Sequence, residues 1–188
     1  MSYETTNWEE ELSEEAKNLY KQLKPQYDKK LSEIKKIPVS VLIWGPSTES
    51  TSEIGKIRKQ LRSILRQEGN LAMFSEELCD INCDFSVRIQ QLVQAEQYDI
   101  VISIPESPGS IGEIHDFAVD TRVNKKFIIF LNEDFSSGYS FNSLISISSA
   151  VSAEIILYSN NTLESIITNS LNIVNKMREY IYLTQGRY

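Results

Sequence analysis

Two carboxylates, Glu106 and Glu113, bracket the stretch of this chain best suited to chemistry. An apolar run, Ile100–Ile104, breaks at Pro105-Glu106-Ser107-Pro108-Gly109-Ser110, and a helical pattern follows over Ile111–Asp120. That order predicts a buried strand, a tight polar turn and a helix N-terminus. In an open α/β sheet, ligands bind where such turns leave the carboxyl ends of the strands. Gly109 opens close approach to backbone N–H groups at the start of a helix, which attract anions. A carboxylate next to an anion site is out of place for plain phosphate binding. It makes sense when the N–H groups hold a phosphate and the carboxylate faces a sugar. Glu113 also has a simpler explanation, because Ser110-x-x-Glu113 fits a helix capping box. Glu106 either faces a ligand or pairs at the surface.

Other candidates are weaker. Gly45-Pro46-Ser47 follows a first apolar run, but any strand-to-helix turn uses such residues. It is neither Gly-x-Gly-x-x-Gly nor a Walker loop. Tyr139 and Phe141 either line a base pocket or pack a serine-rich segment down. His115, two residues past Glu113, reads as exposed or internally satisfied. Cys79 and Cys83 read as two buried, reduced thiols; with one histidine in the chain, a metal site is not expected. No serine-nucleophile elbow is present. The residues call for neither metal nor cofactor.

The elements that must position these residues follow from periodicity. Leu12, Ala16, Leu19 and Leu23 extend an apolar stripe that starts at Trp8, predicting a helix. Pro25 breaks or kinks it, and Tyr27, Leu31 and Ile34 continue a weaker stripe toward Pro38. Residues 1–37 thus read as a helical arm, lying on the domain or on another subunit. Val39–Trp44 is a first strand, apolar enough to be buried on both faces. Ser50-x-x-Glu53 predicts a helix cap before the stripe Ile54, Ile57, Leu61, Ile64 and Leu65. Gly69-Asn70 closes that helix, and Leu71–Phe74 is a second strand ending at Ser75-Glu76-Glu77. A helix over Ser86–Glu96 has Val87, Ile89, Leu92 and Val93 as its apolar set. Lys126–Leu131 and Ala153–Tyr158 are the fourth and fifth strands, separated by a long loop with a short helix. Asn161-x-x-Glu164 predicts the cap of a long last helix.

Strands alternating with helices predict an α/β fold: a doubly wound parallel sheet of about five strands, Rossmann- or flavodoxin-like, over residues 38–188. The loops after the first four strands would then gather at one sheet edge. The length of 188 residues fits one such domain with a helical extension. A net charge of −7 argues against broad affinity for nucleic acid or anionic lipid. Apolar runs are too short to span a bilayer, and the acidic N-terminus is unlike a signal peptide. A cytoplasmic location without membrane contact is therefore expected.

These motifs resemble the nucleoside 2-deoxyribosyltransferase-like family. The resemblance is carried by Gly45-Pro46 after the first strand, Glu76 after the second, and Asp99…Pro105-Glu106-Ser107-Pro108-Gly109-Ser110-x-x-Glu113. It covers roughly residues 38–160 and is nearest to the retron-associated N-glycosidase effectors, which carry a nearly identical turn. The Pro-Gly…Glu pattern is also similar to lysine-decarboxylase-like nucleotide hydrolases, whose second glycine pair and later glutamate are missing here. The resemblance implies that Glu113 is the catalytic carboxylate, acting on the anomeric carbon of a nucleotide, nucleoside or NAD-like substrate. It implies that Gly45, Pro46, Ser47, Ser107, Gly109 and Ser110 position sugar and phosphate, and that Glu76 or Glu106 holds hydroxyls. Asp99 and Tyr139 complete the implied binding set. A homo-oligomer, and a protein partner in a bacterial defence system, are also implied. The alternative is a nucleotide-sensing module that binds without cleaving.

Overall fold

The computed structural model describes residues 11–136, 138–148 and 152–186, apart from the side chains of Pro108, Glu113, Asp116, Phe135, Tyr139, Ser140, Ile147 and Ser148. The chain divides into two units, Met1–Ile37 and Pro38–Tyr188. The first contains α1 (Glu14–Lys35), started by Ser13, whose hydroxyl accepts from the Ala16 N–H at 3.3 Å. The helix runs without interruption through Pro25, so the proline does not break it. None of its residues is buried; Leu19, Leu23, Tyr27 and Leu31 stand exposed along one stripe.

The second unit runs β1 (Ser40–Trp44), α2 (Glu53–Gln67), β2 (Leu71–Phe74), α3 (Val87–Gln97), β3 (Ile100–Ser103), α4 (Pro108–Ala118), β4 (Phe127–Asn132), α5 (Tyr139–Ser148), β5 (Glu154–Tyr158) and α6 (Glu164–Thr184). The five strands are all parallel, in the order β2-β1-β3-β4-β5. This is the doubly wound α/β sheet that the alternation of patterns predicts. Side chains alternate across each strand. Val41 and Ile43 join a core layer with Ile54, Leu61, Leu65, Ile166 and Val174 of α2 and α6. Leu42 and Trp44 join the opposite layer with Ala95, Ile111, Ile114, Phe117 and Leu144 of α3, α4 and α5. Burial on both faces is why the central strands read as continuous apolar runs.

Helix starts differ from the sequence reading in an instructive way. The cap of α2 is Ser52, which accepts from the Gly55 N–H at 3.0 Å, while Ser50 bonds to Ser52. Thr162 closes a turn onto Ser159 rather than leaving Asn161 to cap α6. Where several serines and threonines cluster, each offers the backbone a partner, and packing decides which is used. Gly69, at φ +83°, takes the left-handed conformation that ends α2. In α3 the expected apolar set is mostly outside: Val87, Ile89 and Val93 are exposed, and Ala95 and Leu92 make the packing face. Cys79 and Cys83 lie in the preceding loop, free and half-buried rather than buried.

Candidate functional site

The sheet order places the topological switch point between β1 and β3, from which the chain winds outward in both directions. Loops leaving two such strands part from each other and open a crevice at the carboxyl edge. A cavity of about 300 Å³ occupies that crevice. Trp44, Gly45 and Ser47 line it after β1, Ser75 and Glu76 after β2, and Ser103 and Pro105 after β3. Gln91 of α3 and Ser110, Ile114 and Phe117 of α4 complete the described lining. Three separately predicted turns therefore converge on one hollow.

Helix α4 forms one wall, and its start is now explicit. Ser107 is the N-cap and Pro108 the first helical residue, a position where proline costs no hydrogen bond. The Ser107 hydroxyl accepts from the Ser110 N–H at 3.3 Å, and the Ser110 hydroxyl accepts from the Ser107 N–H at 3.1 Å. The capping pair is thus Ser107 with Ser110, not Ser110 with Glu113. Glu113 sits on the sixth helical residue, beyond the turn whose donors need a cap. Ser110, Ile114 and Phe117 set the cavity-facing stripe at steps of four and three. Position 113, three residues after Ser110 and four before Phe117, falls on the same side of the helix. The Glu113 side chain, like that of Tyr139, lies outside the described residues.

The opposite wall is organised by a residue that the sequence reading passed over. Arg58 projects from α2, its side chain 1% exposed, and forks onto both oxygens of Glu76 at 2.6 and 2.7 Å. It also donates to the Ile43 carbonyl at 2.8 Å and to the Pro46 carbonyl. Its guanidinium lies over the Phe74 ring at 4.0 Å, and Arg62 lies over the same ring at 3.9 Å. One arginine therefore ties the loop after β1 to the loop after β2. The signal was present in the sequence: Arg58 falls on the apolar stripe between Ile54 and Leu61. A cation there must find buried partners.

Gly45 is required by this packing. A Cβ there would lie 3.0 Å from the Ile104 carbonyl oxygen and 3.1 Å from Arg58 Cδ. Next to Arg58, Arg62 pairs with Glu77. Burial pushes the Glu77 carboxyl up, but Arg62, the Phe74 N–H and Arg66 outweigh it and hold the group below its ordinary range. The described lining carries one carboxylate, Glu76, and no lysine, arginine or histidine. Trp44 packs edge-on against Phe117 and Phe127, and its indole N–H finds no partner among the described residues.

Other expected site residues go elsewhere. Asp99 precedes β3, at the amino edge of the sheet, so it is no part of this cavity. Its carboxylate accepts from the Ser40 N–H at 2.8 Å and from the Ser40 hydroxyl at 2.7 Å. That clamp fixes β1 beside β3. Glu106 is exposed and outside the cavity lining. It lies toward β5: burial pushes the Tyr158 hydroxyl up to about 12, with the charges of Glu106 and Asp134 adding to the effect. There the loops after β4 and β5 are joined through Asn132, Asn160 and Asp134. His115 is satisfied by the Ser143 hydroxyl at 3.0 Å. Among the described residues no three acidic, histidine or cysteine side chains gather to hold a metal. No described helix is long and apolar enough to cross a membrane.

No protein-family model matches this chain, and no curated protein matches it either. The functional reading accordingly rests on the cavity.

Proposed function

We propose that the chain cleaves or transfers the N-glycosidic bond of a nucleoside, nucleotide or NAD-like substrate. The observation that carries this reading is the helix wall: α4 presents position 113 on the cavity side while Ser107 and Ser110 satisfy its start. A glutamate there has no capping work to do. In the proposed reaction the Glu113 carboxylate attacks C1′, or balances positive charge on it, as the bond to the base breaks. The bonding electron pair leaves with the base, which takes a proton from solvent. Water then releases the sugar, or a second base accepts it. Ser47 and the start of α4 would hold the sugar end, and the apolar wall of Trp44, Ile114 and Phe117 would hold the base. On the likeness of the Pro105–Ser110 turn, the activity is that of a bacterial defence or toxin effector.

The test is release of free base from a panel of ribonucleosides, deoxyribonucleosides, their 5′-phosphates and NAD, followed by chromatography. Glu113→Gln should slow release at least about a hundredfold, since it removes the nucleophile. A variant as fast as the parent refutes the assignment. Thermal stabilisation by a panel compound without base release would point to a sensing module instead.

A further inference from the structure

The start of α4, where the sequence predicts an anion site, keeps its donors for itself. Pro108 has no N–H. The Ser107 N–H goes to the Ser110 hydroxyl at 3.1 Å, the Ser110 N–H to the Ser107 hydroxyl at 3.3 Å, and the Ile111 N–H to the Ser107 carbonyl at 3.1 Å. That leaves the Gly109 N–H, where a phosphate held at a helix start takes several such groups. No cation among the described residues makes up the loss. The described lining holds no lysine, arginine or histidine, and the α4 side chains outside the described residues are Pro108, Glu113 and Asp116. Arg58 has both terminal nitrogens committed, to Glu76 and to the Ile43 and Pro46 carbonyls. A phosphate in this cavity would instead meet the like charge of Glu76, with position 113 on the cavity side of α4.

The polar groups still uncommitted are neutral. Ser103 is 1% exposed and lines the cavity, and its hydroxyl bonds to no described residue. Its register partner on β1, Trp44, also has an unpartnered indole N–H. A buried hydroxyl left without a partner is destabilising, and a ligand that completes it removes that cost. Gln91 adds an amide to the same lining.

We infer that the site takes an uncharged nucleoside and rejects nucleoside 5′-phosphates and dinucleotides, with Ser103 binding the ligand at the carboxyl end of β3. This rests on the N-glycosidase reading for the reaction and selects one of its substrate classes. It also departs from the role that the resemblance gives to the turn before α4: Ser107 and Ser110 close the start of the helix rather than cradle a phosphate.

The test is calorimetric binding at neutral pH to the full-length chain carrying Glu113→Gln, which blocks turnover and, by removing a negative charge, works against the expected result. The ligands are adenosine, guanosine, cytidine, uridine and their 2′-deoxy counterparts, each paired with its 5′-monophosphate, and NAD. A dianion set beside Glu76 without a cation predicts that the nucleoside binds about tenfold or more tightly than its phosphate. Adding Gln91→Arg, which puts a cation in the lining, should bring the ratio within about threefold. A ratio that this substitution leaves unmoved overturns the inference, since charge would not be its source. Adding Ser103→Ala should weaken nucleoside binding about threefold or more while the melting midpoint holds, because no described residue loses a partner. Unchanged affinity with a lowered midpoint would make Ser103 structural and overturn its assignment. Equal or tighter binding of a phosphate or of NAD overturns the inference too, while Glu113-dependent base release would still stand. Nucleoside-selective binding without base release by the parent chain supports the inference and refutes the reaction. Binding of no panel member overturns both readings.

Discussion

The two edges of the sheet both bury polar and charged side chains, yet they use them differently. At the amino edge Asp99 clamps Ser40, and Asn70 accepts from the Val39 N–H at 3.2 Å and from Arg178 at 2.9 Å while donating to the Leu65 carbonyl at 3.0 Å. These groups bond to one another and to the strand and helix ends beside them. At the carboxyl edge Arg58 forks onto both oxygens of Glu76, and Glu76 also lines a cavity. A buried network that closes on itself stabilises; one that keeps acceptor capacity toward an opening can also recognise. Loops diverging at the switch point leave room at the carboxyl edge.

That contrast can be broken by substitution. The largest effect is expected for Arg58→Met, which strands the Ile43 and Pro46 carbonyls and releases Glu76. A stability loss of about 3 kcal/mol in urea unfolding is anticipated, together with loss of ligand binding. Gly45→Ala forces its methyl against Arg58 and the Ile104 carbonyl. About 1–3 kcal/mol should be lost, and binding should weaken with it. Asp99→Ala removes the clamp at the other edge, and about 1–3 kcal/mol should be lost. Ligand affinity per folded molecule should stay unchanged, because Asp99 sits at the other edge of the sheet and does not line the cavity. An equal fall in affinity for Asp99→Ala would show that the edges are not independent.

The pH dependence sharpens the same division within the carboxyl edge. Tyr158 titrates near 10 when unfolded and at about 12 when folded, so its neutral form is favoured by the fold. Its contribution is complete below pH 10 and is lost as the pH rises from about 10 to about 12. Tyr158→Phe should flatten the stability profile over that window, measured by urea unfolding at stepped pH. The smallest effect is reserved for the arm. Leu23→Ser on α1, where nothing is buried, should change the stability of the monomer by less than about 0.5 kcal/mol.

Much of this architecture could be read before any coordinates. Continuous apolar runs separated by helical stripes require strands buried on both faces, and the order of elements then follows. The turn at Pro105–Ser110 was legible as the carboxyl end of a strand for the same reason: position along a strand sets which edge a residue reaches. Asp99 obeys that rule as well; lying before its strand, it belongs to the amino edge.

What the chain determined by itself was local: periodicity, turn residues and the apolar faces that must be covered. Tertiary structure decided the pairings across long separations, such as Arg58 with Glu76 and Asp99 with Ser40, and which serine starts α4. It also left Val87, Ile89 and Val93 of α3 outside, although their pattern promises burial. Periodicity says which residues share a face. Only strand order and packing say what that face meets.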